Sequence, residues 1–155
     1  MSLEQDLHHE QVIHLDLTGF TEVEQTVSVG ETVEKMRQAD HHCAFITDNG
    51  ILKGIFTDRD ILRRVVDSPG VWTQPIETVM TKSPLTVKTT DSAAKALALM
   101  DDHHFRNVPV TDAQGVVKGN LTHYAIIKYL SDRFPESVYN LPPDPDQVTG
   151  KRIGA

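Results

Sequence analysis

The chain of 155 residues is poor in cysteine, in long apolar runs and in positive charge. Its single cysteine, Cys43, excludes an intrachain disulfide. No apolar stretch approaches the roughly 18 residues of a transmembrane helix, and the acidic start lacks the features of a signal peptide. With 15 Lys and Arg against 22 Asp and Glu, the net charge of −7 disfavours nucleic acid and anionic membranes as partners. We therefore expect a soluble, cytoplasmic protein.

What the sequence does contain is an internal repeat. Positions 64 residues apart carry the same residue in several pairs: Val23 and Val87, Ser28 and Ser92, Met36 and Met100. After one extra residue in a turn the spacing becomes 65, and the matching pairs are Gly54 and Gly119, Thr57 and Thr122, Ile61 and Ile126. The chain is therefore predicted to be a tandem repeat.

Each repeat unit has the same predicted order of elements, β-α-β-β-α. The alternating segments FTEVEQTV and PLTVKTT indicate first strands. Ser28 and Ser92 are typical helix N-caps, and Ser28 with Glu31 has the form of a capping box. Two strands with a glycine-containing turn follow in CAFITDNGILKGIF and in NVPVTDAQGVVKGNL. A last helix is predicted from Asp58 to about Val66 and from His123 to about Leu130.

The predicted fold class is α+β, with tandem β-α-β-β-α units packed about a pseudo-twofold axis, because one such unit is too small to bury a core alone. The predicted parts are an N-terminal extension (1–16), the first unit (17–66), a linker (67–79), the second unit (80–130) and a proline-rich tail (131–155). A short helix is expected in the linker from Pro75. The start EQVIHLDL is predicted to pack on the second unit as either a strand or a helix.

This repeat, with Gly-h-h-Thr-x-x-Asp (h, apolar) at the junction of its last strand and helix in GIFTDRD, resembles a pair of cystathionine-β-synthase (CBS) domains, also called a Bateman module. The segments VMTKSPLTV and RNVPVTD are similar to the second-unit pattern of that family. The resemblance covers roughly residues 17 to 130. The tail RFPESVYNLPP is similar to that of small stand-alone bacterial CBS-pair proteins, which have no catalytic domain.

The resemblance implies a non-enzymatic regulatory module that binds an adenine nucleotide in a cleft between its units. AMP, ADP and ATP are the expected ligands, with NAD or S-adenosylmethionine in some members, and no obligatory cofactor is expected. Binding is expected to change the conformation of the chain or its contact with an effector protein. The family also implies a homodimer.

The candidate ligand site centres on Thr57 and Asp60. A carboxylate after a strand end can accept two hydrogen bonds from vicinal ribose hydroxyls, and the N–H groups of a helix start suit a phosphate. In the family pattern this aspartate faces the other unit. Carried over to this sequence, the facing residues are Ser83, Pro84, Leu85, Thr86, Phe105, Arg106, Asn107, Val108 and Pro109. Arg106, Lys82 and Arg59 are candidates to neutralise a phosphate.

The pseudo-symmetric cleft is predicted to be weak or empty. Ala125 stands where the first unit has Asp60, and Phe45 stands where the second unit has Pro109. A simpler interpretation of Thr57 and Asp60 is a helix cap with no ligand, in which case the protein is a ligand-free dimerising scaffold.

Other residue patterns are interpreted as structural. The pairs His8-His9, His41-His42 and His103-His104 do not align in the repeat, and adjacent side chains point apart. Cys43 is expected to be a small core residue. Arg63 and Arg64 are expected to form a solvated helix face. No metal site and no catalytic residue are predicted.

Overall fold

The computed structural model describes residues 2–135, which form a four-stranded and a three-stranded sheet with helices packed against them. After helix α1 (Leu3–His9), the first unit contains β1 (Thr21–Glu24), α2 (Val29–Ala39), β2 (Cys43–Asp48), β3 (Ile51–Thr57) and α3 (Asp58–Asp60). The remaining elements are β4 (Thr81–Lys82), β5 (Val87–Lys88), α4 (Ala93–His103), β6 (Asn107–Thr111), β7 (Val117–Thr122) and α5 (His123–Arg133). The predicted tandem α+β repeat is confirmed.

The two equivalent helices α2 and α4 begin at the predicted serine caps. The Ser28 hydroxyl accepts the Glu31 N–H and the Ser92 hydroxyl accepts the Lys95 N–H, each over 3.1 Å. These bonds satisfy one of the free N–H groups of each helix start. The Glu31 carboxylate lies 3.7 Å from the Lys35 ammonium group.

The hairpin between β2 and β3 follows from its two-residue turn. Asn49 and Gly50 both have positive φ values, 51° and 85°. Positive φ at both central positions is the type I′ geometry, whose twist matches that of the strands it joins. In both units the first strand pairs in parallel with the second, which pairs antiparallel with the third.

Each sheet also forms backbone hydrogen bonds with a short segment that leads into the other unit in the sequence. β4 pairs antiparallel with β3, with Lys82 opposite Gly54. On the second sheet, the Leu17 carbonyl accepts the Asn120 N–H over 2.8 Å. A Cβ at Gly54 would lie 2.9 Å from the Thr81 carbonyl oxygen, and one at Gly119 would lie 2.8 Å from the Leu17 carbonyl oxygen. The repeated glycine is therefore explained by the close passage of these segments.

The same exchange of segments builds the two hydrophobic cores. Leu7, Val12 and Leu15 from the N-terminal segment belong to the core of the second unit. Ile76 and Met80 from the linker belong to the core of the first unit. The N-terminal segment therefore packs on the second unit as predicted, and it is helical, with α1 followed by a 3₁₀ turn at Val12–His14.

The two units meet at the tips of their β-hairpins. Ile51 and Val116 form an antiparallel bridge. The Leu52 N–H donates to the Gly115 carbonyl over 3.1 Å, and the Val117 N–H donates to the Gly50 carbonyl over 3.3 Å. This contact fixes the position of one sheet against the other.

Several boundaries differ from those predicted. The helix after Thr57 is α-helical only to Asp60 and continues as a π-helix over Ile61–Val65. The first strands are limited to Thr21–Glu24 and Val87–Lys88, because only these residues pair with a neighbouring strand.

The C-terminal helix is longer than predicted. α5 runs to Arg133 rather than ending near Leu130, so the proposed tail does not begin at Ser131. Pro135 restricts mainly the residue before it, Phe134, which has φ −133° and ends the helix. The predicted proline-rich segment from residue 136 onward lies outside the described residues. Within residues 2–135, no helix has the length and apolarity needed to cross a membrane.

Candidate functional site

Asp60 is a nearly buried carboxylate at the end of β3, and its two oxygens differ in their contacts. Its side chain is 13% exposed. Oδ2 accepts the Thr57 N–H over 2.9 Å and the Thr57 hydroxyl over 3.3 Å. Oδ1 lies 3.9 Å from the Arg64 Nε, which is too far for a hydrogen bond. The capping interpretation is therefore correct for Oδ2, and Oδ1 keeps acceptor capacity for a ligand.

Arg64 connects this site to the linker. Its Nη1 donates to the carbonyls of Val79 and Met80, over 2.9 and 3.3 Å. The guanidinium thus ties the π-helix to the residues that lead into β4, and it leaves one positive charge beside Asp60. Arg64 is exposed, as expected for a solvated helix face, but its guanidinium also binds these two carbonyls. The i, i+4 spacing from Asp60 was the signal in the sequence that identifies this pair.

The second unit has a different cap at the equivalent junction. The Thr122 hydroxyl accepts the Ala125 N–H over 3.0 Å, so Thr122 alone caps α5, as expected for a junction without the aspartate. In the first unit the Thr57 hydroxyl donates to a carboxylate instead. The first unit therefore adds a carboxylate to its helix cap, whereas Thr122 alone caps the helix of the second unit.

The residues beside Thr57 and Asp60 are His42 and Cys43 of the same unit. Cys43 is opposite Thr57 across β2 and β3. The His42 carbonyl accepts the Asp58 N–H over 3.2 Å, and the His42 Nδ1 lies 2.7 Å from the Asp58 Oδ2. The exposed His42 ring and the Asp58 carboxylate therefore pair with each other at this junction.

Arg106 occupies the corresponding position in the second unit. Its carbonyl accepts the His123 N–H over 3.0 Å, and Asn107 is opposite Thr122. The hydrogen bonds therefore join Arg106 to the junction that carries Ala125, whereas the family pattern placed Arg106 on the cleft of Asp60. Phe105, 40% exposed, stacks on the His103 ring with centroids 5.3 Å apart.

Val108 and Pro109 are buried in the central strand of the second sheet. β5 pairs only with Val110 and Thr111, so Pro109 lies beyond the paired part of β6. The backbone on that side of Pro109 has no ladder partner from β5. A proline at such an unpaired position removes no hydrogen bond from the ladder with β5.

The segment from Lys82 to Thr86 crosses from the first sheet to the second. Because β4 is antiparallel to β3, the chain after Lys82 runs toward Lys53 and away from Thr57. The Ser83 N–H donates to the Lys53 carbonyl over 3.1 Å. Lys53, Lys82 and Ser83 line one cavity. Neither Thr57 nor Asp60 belongs to its lining. Pro84, Leu85 and Thr86 then continue to β5, with Leu85 45% exposed. Arg59 is exposed on the turn after Thr57.

The second cleft contains the chain's own aromatic side chains. Phe45, fully buried, stacks on Phe20 with ring centroids 4.8 Å apart. Asn120, also fully buried, donates to the Asn107 Oδ1 over 3.1 Å and to the Gly19 carbonyl over 3.4 Å. Its own Oδ1 has no hydrogen-bond partner in the described residues.

Cys43 is a core residue, as expected, with 1% exposure. Burial, with a smaller contribution from the Asp58 charge, raises the pKa of the Cys43 thiol to about 12. A thiol with this pKa is inert as a nucleophile at neutral pH. In residues 2–135 there is no group of three or more His, Cys, Asp or Glu side chains arranged to hold a metal ion.

Comparison with known proteins relates this geometry to solved folds. The structure aligns over 80% of its length with CBSX2 in complex with AMP, at a TM-score of 0.69 and 23% identity, and covers 98% of that chain. It aligns over 78% of its length with the cytosolic domain of the Mg²⁺ channel MgtE in complex with ATP, at a TM-score of 0.67 and 22% identity, and covers 49% of that chain. At these identities the likeness concerns the fold.

Sequence comparison identifies the family. The CBS domain-containing protein CBSCBSPB1 of Arabidopsis thaliana is 35% identical over 118 residues, which is 72% of this chain and 22% of that protein. The chain spans between 20% and 24% of the length of the first three curated relatives that it matches. The CBS domain family matches at residues 16–67 and again at residues 76–132. The chain therefore belongs to the CBS domain family and contains two CBS domains.

Proposed function

We propose that this CBS pair is a regulatory module that binds an adenine nucleotide, AMP, ADP or ATP, in the cleft beside Thr57 and Asp60. The proposal rests on the different contacts of the two Asp60 carboxylate oxygens. Its Oδ2 is used by the helix cap, but its Oδ1 keeps acceptor capacity for a ribose hydroxyl. A charged acceptor in a largely buried position makes a stronger hydrogen bond than a neutral one. Solved CBS structures in complex with AMP and with ATP support this ligand class.

The positive charge for a phosphate comes from side chains near the same helix start. Arg64 is already fixed by the Val79 and Met80 carbonyls, and Arg59 is exposed on the turn after Thr57. The N–H groups of the first turn add partial positive charge. Val108, Pro109 and the segment 84–86 are proposed to form the opposite wall. The rim of the proposed site is formed by Phe105, Arg106 and Asn107. Arg106→Gln tests whether the Arg106 charge contributes to nucleotide binding.

The signal is proposed to pass through Arg64. A nucleotide hydroxyl on the Asp60 Oδ1 competes with Arg64 for this oxygen, and the other contacts of Arg64 hold the Val79 and Met80 carbonyls. A ligand shifts a conformational equilibrium only by its difference in affinity for the two states. We therefore expect the nucleotide to favour one arrangement of the linker and of the surface offered to an effector protein. Catalysis by this chain is not proposed.

A homodimer is proposed on the exposed apolar side chains of the last helix of each unit. Leu62 is 71% exposed, Val66 53%, Tyr124 76% and Ile127 41%. Leu62 and Ile127 are equivalent in the repeat, so the two units present a pseudo-symmetric apolar surface to a second copy. This surface also supports the alternative function, a dimerising scaffold without a ligand. Leu62→Lys with Ile127→Lys should give a monomer by light scattering, whereas the control Ile13→Lys should not.

A thermal-shift panel with AMP, ADP, ATP, NAD and S-adenosylmethionine tests the ligand proposal. Ligand at 100 times its dissociation constant stabilises a fold by about 2.7 kcal/mol. For a chain of this size that is a rise of roughly 5–10 °C. At the same ligand concentration the rise should fall to about half or less in Asp60→Asn, which can still accept the Thr57 N–H, and persist in Asp58→Asn, which removes a neighbouring exposed charge. A flat panel for the wild type would favour the scaffold.

A further inference from the structure

An open cavity lies on the surface where β4 pairs with β3, and neither Thr57 nor Asp60 lines it. It has a volume of about 570 Å³. This is within the range of small-molecule sites. Its polar lining comes from the loop after β1, from β3, from the linker and from β4: Gln25, Lys53, Glu77, Lys82 and Ser83, with Met80 below them.

The two lysines of this cavity lack carboxylate partners. Among the ion pairs of the described residues, Lys35, Lys95 and Lys118 each contact an acidic side chain. Lys53 and Lys82 do not, although the chain has a net charge of −7 and many carboxylates. Glu77 is the one carboxylate of the same lining, so the two lysines leave the cavity with an excess of positive charge in an acidic protein.

The repeat shows that the fold does not require this lining. At the equivalent positions of the second unit, Thr89 replaces Gln25, Ile13 replaces Glu77 and Thr18 replaces Lys82. The backbone there is the same, since the Ile13 N–H donates to the Thr89 carbonyl as the Glu77 N–H donates to the Gln25 carbonyl. The charged and amide groups are therefore an addition specific to the first unit.

Lys53 and its equivalent in the second unit, Lys118, also differ in their environment. Lys118, the equivalent of Lys53, lies 3.9 Å from the Asp112 carboxylate. Lys53 has no such contact with Asp48, the equivalent of Asp112, in the described residues. Lys53 is thus free to face a ligand where its counterpart is neutralised by the protein.

The backbone at Ser83 is also unusual for its residue type. Ser83 has φ +50° directly before Pro84, and its counterpart Gly19 has φ +93°. Only glycine adopts this region without a cost, and strained residues concentrate at functional sites. The serine in place of glycine adds a hydroxyl to the cavity wall, next to Lys82.

We propose that this cavity binds a small phosphorylated molecule at a site separate from the cleft of Asp60. Lys53 and Lys82 contact the phosphoryl oxygens, and the Ser83 hydroxyl donates a further hydrogen bond. Glu77, a half-buried carboxylate, and Gln25 contact hydroxyl or amino groups on the rest of the ligand. Because the cavity adjoins Met80, whose carbonyl accepts from Arg64, occupancy also stabilises the linker.

The test is calorimetric titration of the whole chain with inorganic pyrophosphate at constant ionic strength. The wild type should show saturable binding, and Lys53→Gln should weaken it about tenfold, the equivalent of about 1.4 kcal/mol for one charged hydrogen bond. Lys53→Gln with Lys82→Gln should abolish it. The matched control Lys118→Gln should bind as the wild type does, because Lys118 faces Asp112.

A second titration, with Asp60→Asn, distinguishes binding at this site from binding in the nucleotide cleft. Asp60→Asn should keep the wild-type affinity for pyrophosphate even where it loses AMP. The proposal is overturned by no saturable pyrophosphate binding, by equal weakening in Lys53→Gln and Lys118→Gln, or by loss of pyrophosphate binding in Asp60→Asn. A wild-type thermal midpoint for Lys53→Gln, without pyrophosphate, verifies that it is folded.

Discussion

The close contact between Gly119 and the N-terminal segment gives a quantitative test of the exchanged-segment architecture. In Gly119→Ala the new Cβ would lie 2.8 Å from the Leu17 carbonyl oxygen and would also meet the Leu17 side chain. A comfortable C···O contact is about 3.3–3.6 Å. The segment around Leu17 must therefore shift by roughly 0.5 Å or more.

The cost of that shift has two parts. Overpacking a filled site costs about 1–3 kcal/mol. Weakening the hydrogen bond from the Asn120 N–H to the Leu17 carbonyl costs up to about 1 kcal/mol more. Alanine regains about 0.4–1 kcal/mol by restricting the unfolded chain. The expected loss of unfolding free energy is about 2 kcal/mol, or about 4–8 °C in the thermal midpoint.

Thermal unfolding followed by circular dichroism measures this loss, with Gly70→Ala as control. A Cβ at Gly70 meets no atom within 4 Å, so Gly70→Ala should be as stable as the wild type or more stable by up to about 1 kcal/mol. Hydrogen exchange of α1 should accelerate in Gly119→Ala only. A Gly119→Ala protein as stable as Gly70→Ala, with α1 equally protected, would refute the placement of the N-terminal segment.

Three further predictions concern the contacts of Tyr129 with the N-terminal residues Asp6 and Glu10, and the buried thiol of Cys43. The Tyr129 hydroxyl donates to Asp6 and Glu10, so Tyr129→Phe should lower the unfolding free energy by about 1–3 kcal/mol in urea denaturation. Burial raises the pKa of Glu10, but hydrogen bonds from His14, Tyr129 and the Gln11 N–H outweigh it and hold the pKa below its usual value. This stabilisation is present above the unfolded pKa of about 4.3 and lost as pH falls through the lower folded pKa, so Glu10→Gln should flatten the acid limb of a stability–pH curve. Cys43 should react with a thiol reagent at pH 8 only after unfolding, and rapid labelling of the folded protein would contradict its burial.

Much of the fold could be predicted from local signals. The helix caps Ser28 and Ser92 and the Asn49-Gly50 turn are short-range features, and each forms as its residue type requires. The repeat then gave the order of elements in both units. These predictions succeed because they depend on neighbours within a few residues.

The exchange of edge segments was not predicted, because it depends on contacts between distant parts of the chain. The signal was nevertheless present, since the repeat extends back from Val23 to residues before β1. Gly19 and Ser83, 64 residues apart, both adopt positive φ, and Leu17 and Thr81 meet equivalent strands. The π-helix after Asp60 has no such signal, because its sequence is compatible with an ordinary α-helix.

The candidate site was predicted in part. Thr57 and Asp60 form the expected cap and leave one carboxylate oxygen for a ligand. Assigning residues such as Arg106 and Lys82 requires the strand register, which the sequence does not contain. β4 carries Lys82 toward Lys53, and β6 carries Arg106 to the junction of the second unit.

The central claim is that one of the two clefts, the one with Asp60, binds an adenine nucleotide. Isothermal titration calorimetry of AMP and ATP into the wild type and Asp60→Asn measures affinity and stoichiometry together. The account predicts one nucleotide per chain for the wild type and at least about a tenfold loss of affinity in Asp60→Asn, as expected for a charged hydrogen bond. No binding by the wild type, or unchanged binding by Asp60→Asn, would contradict it.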